Sequence, residues 1–182
     1  MKVIGVVGLP ASGKGEFSKI AAATGIPVVV MGDMIRKAVK DARIDPTDAN
    51  LGATANRFRA ERGKDAIARL CVPEIQRQTA PLVLVDGIRG EAEVVMFRRI
   101  FPGFTLIGID SPFETRLARI QARGRSDDFA SADELRIRDT RELGWGLMNA
   151  MREADIHLSN NGTLAEFSAD VKNLLSSLGR DP

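Results

Sequence analysis

Residues 8–14 read Gly8-Leu9-Pro10-Ala11-Ser12-Gly13-Lys14, a spacing that suits one kind of chemistry, the holding of a phosphate chain. Gly8 and Gly13 allow backbone conformations closed to other residues, so successive N–H groups can turn inward around an anion. A helix predicted from Glu16 to Ala23 adds the partial positive charge of its N-terminus, and the Lys14 ammonium reaches the outer phosphates. Such loops usually close Gly-Lys-Ser/Thr, with the hydroxyl on magnesium. Here Gly15 and Glu16 follow the lysine, so direct hydroxyl ligation is lost.

Other chemistry-bearing residues stand at the ends of apolar runs. Asp86 follows Leu82-Val83-Leu84-Val85, a position from which a carboxylate can hold magnesium or its waters beside the loop; a turn before Gly87 would use it equally well. Gly32-Asp33-Met34-Ile35-Arg36 follows the run 27–31 and opens a helix, where Asp33 could also serve as a plain N-cap. Arg116, Arg119 and Arg123 recur at helical spacing opposite Phe113, Leu117 and Ile120 and lead into Arg125. Such a ridge fits charge stabilisation on a transferring phosphoryl group, and fits a solvated helix face too. His157, the only histidine, falls mid-strand, a packed or edge-exposed place rather than a catalytic one.

These residues need elements to carry them. Val3, Ile4, Val6 and Val7 form a buried-strand run, and Phe17, Ile20 and Ala21 mark the inward face of the helix after the loop. Further strands are expected at 27–31, 82–85, 105–109 and 155–158, with helical patterns between them. Capping boxes at Ser111/Glu114, Ser131/Glu134 and Thr163/Glu166 fix three helix starts. Strands alternating with helices imply a parallel sheet with right-handed crossovers and ligands at the strand C-terminal ends. Residues 33–80 are long and helical enough to form an acceptor-covering insert. The polar stretch 124–131, inside a lid region of about 116–140, joins two helices.

Composition bounds the rest. A chain of 182 residues with 44% hydrophobic content suits one α/β domain. The net charge of +2, with no contiguous basic run, argues against a nucleic-acid partner and for small anions. One cysteine, Cys71, excludes an internal disulfide and fits a core position in a reducing compartment. With a strand at the N-terminus and no long apolar run, a cytoplasmic protein with no membrane partner is expected.

The Gly-Lys-Gly ending, with Pro10 in its place, resembles the phosphate loop of adenylate kinases, whose fourth-position Gly and final Thr are here Ala11 and Glu16. Asp86-Gly87-Ile88-Arg89 is similar to their Asp-Gly-Phe-Pro-Arg segment, with Arg89 one place early. Gly32-Asp33 to Arg36 resembles their Gly-Asp-x-x-Arg, where the arginine binds the acceptor phosphate. It also resembles the Asp-x-Asp-x-Ile of dephospho-coenzyme A kinases, where an aspartate faces the attacking hydroxyl. Asp33 and Arg36 could serve either purpose. Arg125-Ser126-Asp127-Asp128 is similar to the short lid of nucleoside monophosphate kinases. The segment 154–164 looks like the close of dephospho-coenzyme A kinases, which lies over the donor adenine, and would give Asn160 and Gly162 that task here.

Together these segments resemble an archaeal P-loop kinase-like family. The resemblance implies the nucleoside monophosphate kinase fold, a five-stranded parallel sheet of order 2-3-1-4-5 flanked by helices. It implies ATP and Mg2+ as cofactors and a small nucleotide-like acceptor as substrate. On that footing Gly8, Pro10, Ala11, Ser12, Gly13, Lys14, Gly15 and Glu16 cradle the donor and Asp86 holds the metal. Arg36 and Arg89 grip the acceptor, Asp33 orients or deprotonates an attacking oxygen, and Arg119, Arg123 and Arg125 close over the transfer. The alternative class is an ATP-binding switch or weak ATPase acting on a protein or RNA partner, which the missing loop hydroxyl favours.

Overall fold

A computed structural model describes residues 1–123 and 131–179. Five strands, β1 (Lys2–Val7), β2 (Val28–Val30), β3 (Leu82–Ile88), β4 (Thr105–Asp110) and β5 (Ile156–Ser159), form one parallel sheet of order β2-β3-β1-β4-β5, as expected. The central strands are apolar at nearly every position because both faces are covered. Side chains alternate, so Val3 and Val7 enter one core while Ile4 and Val6 enter the other.

Helices α1 (Lys14–Ala23) and α9 (Leu164–Leu178) cover the second face, where Phe17, Ile20, Phe167 and Val171 pack on Ile4, Val6, Ile107 and Ile109. Each buried Phe there contributes roughly 2–3 kcal/mol. On the first face lie α2 (Met31–Asp41), α4 (Ala66–Gln76), α5 (Glu91–Ile100) and α8 (Leu147–Arg152), with α3 (Asp48–Arg62) stacked beyond α2 and α4. The helical insert expected over residues 33–80 is therefore α2 to α4. Cys71 is fully buried in this core, its thiol pushed up to about 12 by burial and then by nearby carboxylates, chiefly Glu93.

Helices α6 (Phe113–Arg123) and α7 (Ala132–Gly144) pack through Ile120 and Leu135 beside the loop that follows β1. The capping boxes at Ser131 and Thr163 are present, each holding a free backbone N–H at its helix start. The Ser111 hydroxyl bonds Asn160 O and Arg119 Nη1. Strand ends shift by a residue or more from expectation, and two of the shifts bear on the site. Met31 opens α2 rather than closing β2, its side chain buried beneath the helix. β3 runs on past Asp86 to Ile88, because Gly87 at φ 95° bulges out of the ladder and lets pairing with Val7 resume at Ile88. Arg89 follows two residues after the bulge and lines one cleft with the loop after β1.

Candidate functional site

The loop between β1 and α1 is built as the sequence implies. Gly13 takes φ 120°, and an added Cβ there would lie 2.2 Å from Asn160 Nδ2, so only glycine fits. Ala11 adopts φ 60°, the left-handed conformation that a glycine would take without strain. No side chain caps the N-terminus of α1, which leaves its first N–H groups for a ligand. Lys14 Nζ donates to Gly8 O at 2.6 Å and Leu9 O at 2.9 Å. Burial, reinforced by the Arg89 charge, lowers the Lys14 pKa to about 7.

Asn160 anchors this loop from the far end of β5. Its Nδ2 donates to Ser12 O at 2.8 Å, and its Oδ1 and carbonyl accept from Arg119 Nη2 at 3.0 and 2.9 Å. Its amide thus holds the loop and Arg119 rather than standing free toward an adenine edge, although Asn160, Gly162 and Arg119 all line the cleft above the loop. Arg116 departs from the expected cationic ridge. It is buried, bonded to both Asp139 oxygens at 2.9 and 2.7 Å and to Pro10 O at 3.1 Å, so it braces the loop against α6 and α7. Arg125 and the Arg123 side chain lie outside the described residues.

Asp86, Arg89 and Arg36 all line the same cleft, which measures about 430 Å3. Its other charged walls are Lys14, Lys19, Arg119 and Arg138, against Glu16, which pairs with Lys19 at 3.1 Å. Cations outnumber carboxylates, the setting of an anion site. Arg89 contacts Glu142, and burial together with the Arg138 and Arg59 charges lowers its pKa. Asp33 is exposed and bonded to Arg36 Nη1 at 2.7 Å, on the rim rather than in the cleft. His157 pairs with Asp110 on the exposed edge strand, away from the site.

A second pocket adjoins the first and shares Gly32, Arg36, Gly87, Arg89 and Arg138 with it. It measures about 70 Å3 and lies under α3. Trp145 is one wall, with Arg59 stacked 4.2 Å from the ring centroid and Nε1 donating to Asn56 Oδ1 at 2.6 Å. Asp48 takes two bonds from Arg141, at 2.8 and 2.9 Å, and lies 3.5 Å from Arg138. Burial alone would raise the Asp48 pKa; the Arg141 bonds and the Arg138 and Arg141 charges hold it below the usual carboxylate range.

Sequence reasoning missed Asp48, Arg59 and Arg141, which local pattern renders as ordinary helix-surface charges. It missed Ser18 too, whose hydroxyl lies 2.8 Å from Asp86 Oδ2; the signal available was its place one turn beyond Lys14. Among the described residues no three His, Cys, Asp or Glu side chains gather as a metal cage. A lone carboxylate beside a phosphate cradle suits magnesium, which keeps several waters and binds through one or two carboxylates plus substrate phosphates.

Comparison with known proteins places the fold and the family. Residues 4–139 match the family model described as an AAA domain. The chain is 65% identical to a UPF0200 protein of Methanoregula boonei, each covered over 100% of its length. It is 49% identical to a UPF0200 protein of Methanosarcina mazei, covering 97% of this chain and 95% of that one. Among solved structures it resembles TT1252 from Thermus thermophilus, with a TM-score of 0.68, 19% identity and 97% of each chain covered. It also resembles a gluconokinase from Sinorhizobium meliloti, with a TM-score of 0.57 and 17% identity over 98% of this chain and 93% of that one. At such identities the likeness shows the fold, that of P-loop kinase-like proteins.

Proposed function

The chain belongs to the UPF0200 family of archaeal proteins, and from that premise we propose that it is an ATP-dependent phosphotransferase that moves the γ-phosphoryl group to a small nucleotide-like acceptor. The observation that carries the reading is the pair of joined pockets. A phosphate cradle opens directly onto a second, arginine-lined pocket through Arg36, Arg89 and Arg138, so a donor and an acceptor anion can meet at shared cations. A hydrolase needs no such second chamber.

The loop amides and Lys14 hold the donor phosphates, and Arg119 sits at the rim against Asn160. Asp86 would hold magnesium or its waters, and the ion would supply charge neutralisation for the phosphates. Arg36 and Arg89 grip an acceptor phosphate. Asp33 pairs with Arg36 on the cleft rim, and in this reading its carboxylate orients or deprotonates an attacking oxygen. Arg123 and Arg125 are proposed to add their charge to the transfer. The contribution is positioning and charge neutralisation, with little covalent work for the protein.

A panel of nucleoside monophosphates and dephospho-coenzyme A, incubated with ATP and Mg2+, tests this. Multiple-turnover phosphorylation of at least one acceptor is expected, and Lys14→Ala should abolish it while leaving the folded circular dichroism spectrum unchanged. ATP turnover indifferent to every acceptor, with binding of a protein or RNA gated by ATP, would assign the site to a switch instead. The cation-lined cleft supports a small nucleotide as substrate, and a cytoplasmic location is part of the same proposal; among the described residues no helix is long and apolar enough to cross a membrane.

A further inference from the structure

We infer that Ser18 replaces the missing loop hydroxyl, not as a metal ligand but by fixing the Asp86 carboxylate from one turn deeper in α1. Ser18 follows Lys14 by four residues and so lies on the same helix face. Its Oγ is 3.0 Å from Lys14 O and 2.8 Å from Asp86 Oδ2. Both are acceptors and the hydroxyl has a single proton. The carboxylate is charged and nearer, so the proton goes to Asp86.

The consequence is an Asp86 held by one oxygen. Ser18 is 9% exposed, which keeps water from competing for the bond. Among the described residues Oδ1 has no hydrogen-bond partner, which leaves it for the cleft that Asp86 lines. Crowding does not explain the glycine at position 15, because a Cβ added there would meet no atom within 4 Å. A hydroxyl would fit at the usual place; the chain instead carries one at position 18, bonded to the carboxylate that would face the metal. This rests on the reading of Asp86 as the metal-side carboxylate.

The test is titration of a fluorescent ATP analogue in excess Mg2+ and again in EDTA, with circular dichroism melting for every variant. The unaltered protein is expected to bind more tightly with Mg2+. Ser18→Ala should lose about tenfold of that Mg2+ enhancement while its affinity in EDTA stays the same. Adding Gly15→Ser to Ser18→Ala should restore the enhancement. In an Asp86→Asn background Ser18→Ala should have no further effect, since the hydroxyl acts through that carboxylate. An undiminished Mg2+ enhancement in Ser18→Ala, an equal loss in EDTA, or effects that add across the two positions would each overturn the inference. Magnesium-independent binding by the unaltered protein would remove the reading of Asp86 and this inference together, whereas a normal enhancement kept by Ser18→Ala removes this inference alone.

Discussion

Lys14 is pulled two ways, by loop carbonyls that accept its N–H bonds and by burial beside Arg89, which disfavours its charge and wins. With the folded pKa at about 7, against an ordinary 10.5, the folded chain binds fewer protons than the unfolded one between those values. Stability therefore rises with pH across that window, and the full penalty of the charge is felt below pH 7. A phosphate chain reverses the balance by supplying the missing counter-charge. ATP binding at pH 8.5 should thus take up close to one proton, read by calorimetry as an enthalpy that varies with the buffer's heat of ionisation. Lys14→Met should remove the variation, and no buffer dependence in the unaltered protein would refute it. Gly13 makes a harder demand. Gly13→Ala combines a strained φ with a collision against Asn160 and should cost about 3 kcal/mol or more in chemical denaturation. At this scale the sequence revealed whatever was local, the loop glycines, Lys14 and Asp86. It concealed the brace made by Arg116 and the anchor made by Asn160, because their partners Pro10 and Ser12 lie 106 and 148 residues away in the chain.

The elements that the sequence made plain are those whose environment leaves a local trace. Strands buried on both faces read as unbroken apolar runs, and the boxes at Ser131 and Thr163 write a helix start into four residues. The ends that misled depend on partners elsewhere, as with Met31, drawn into α2 by the core beneath it, and β3, extended by the bulge at Gly87. Least legible was how α3 sits. Its N-terminal Asp48 is gripped by Arg141 of α7, and its Asn56 and Arg59 meet Trp145 at the end of α7. The roof of the second pocket is thereby clamped to the helix that follows residues 124–130. Asp48→Asn should cost about 1–2 kcal/mol and speed hydrogen exchange in α3, with α9 unaffected. The lowered Asp48 pKa gives the clamp its pH range. Its stabilisation is present above the ordinary carboxylate pKa and is lost as pH falls through the lowered folded value, so the cost of Asp48→Asn should shrink as pH falls below the ordinary 3.8. A constant cost over the whole acid range would show that the carboxylate's charge is immaterial.

At the scale of the whole molecule the sheet order brings β1 and β3 side by side at the centre, so the phosphate loop after one and the Asp86–Arg89 segment of the other open on the same edge. The insert between β2 and β3 then has one place to fold, over the end of that pair, which is why the second pocket is continuous with the first. The second pocket measures about 70 Å3, small beside a nucleoside, and Arg36 and Arg89 line its junction with the cleft. If the acceptor is a nucleotide, as proposed, α3 would lift to admit it, and acceptor phosphates that replace Asp48 at the arginines would offset the broken clamp. A ligand with adenosine at one end of a polyphosphate chain and a second nucleoside at the other tests the joined geometry directly. Because it pays once for the freedom lost on binding, it should raise the melting temperature by more than the summed shifts from ATP and the matching nucleoside monophosphate, each at the same concentration. The excess should vanish in Arg89→Ala, which removes a cation common to both pockets. A shift no larger than that of ATP alone, for every second nucleoside tried, would mean that the roof does not lift for a nucleoside and that the acceptor is a smaller anion.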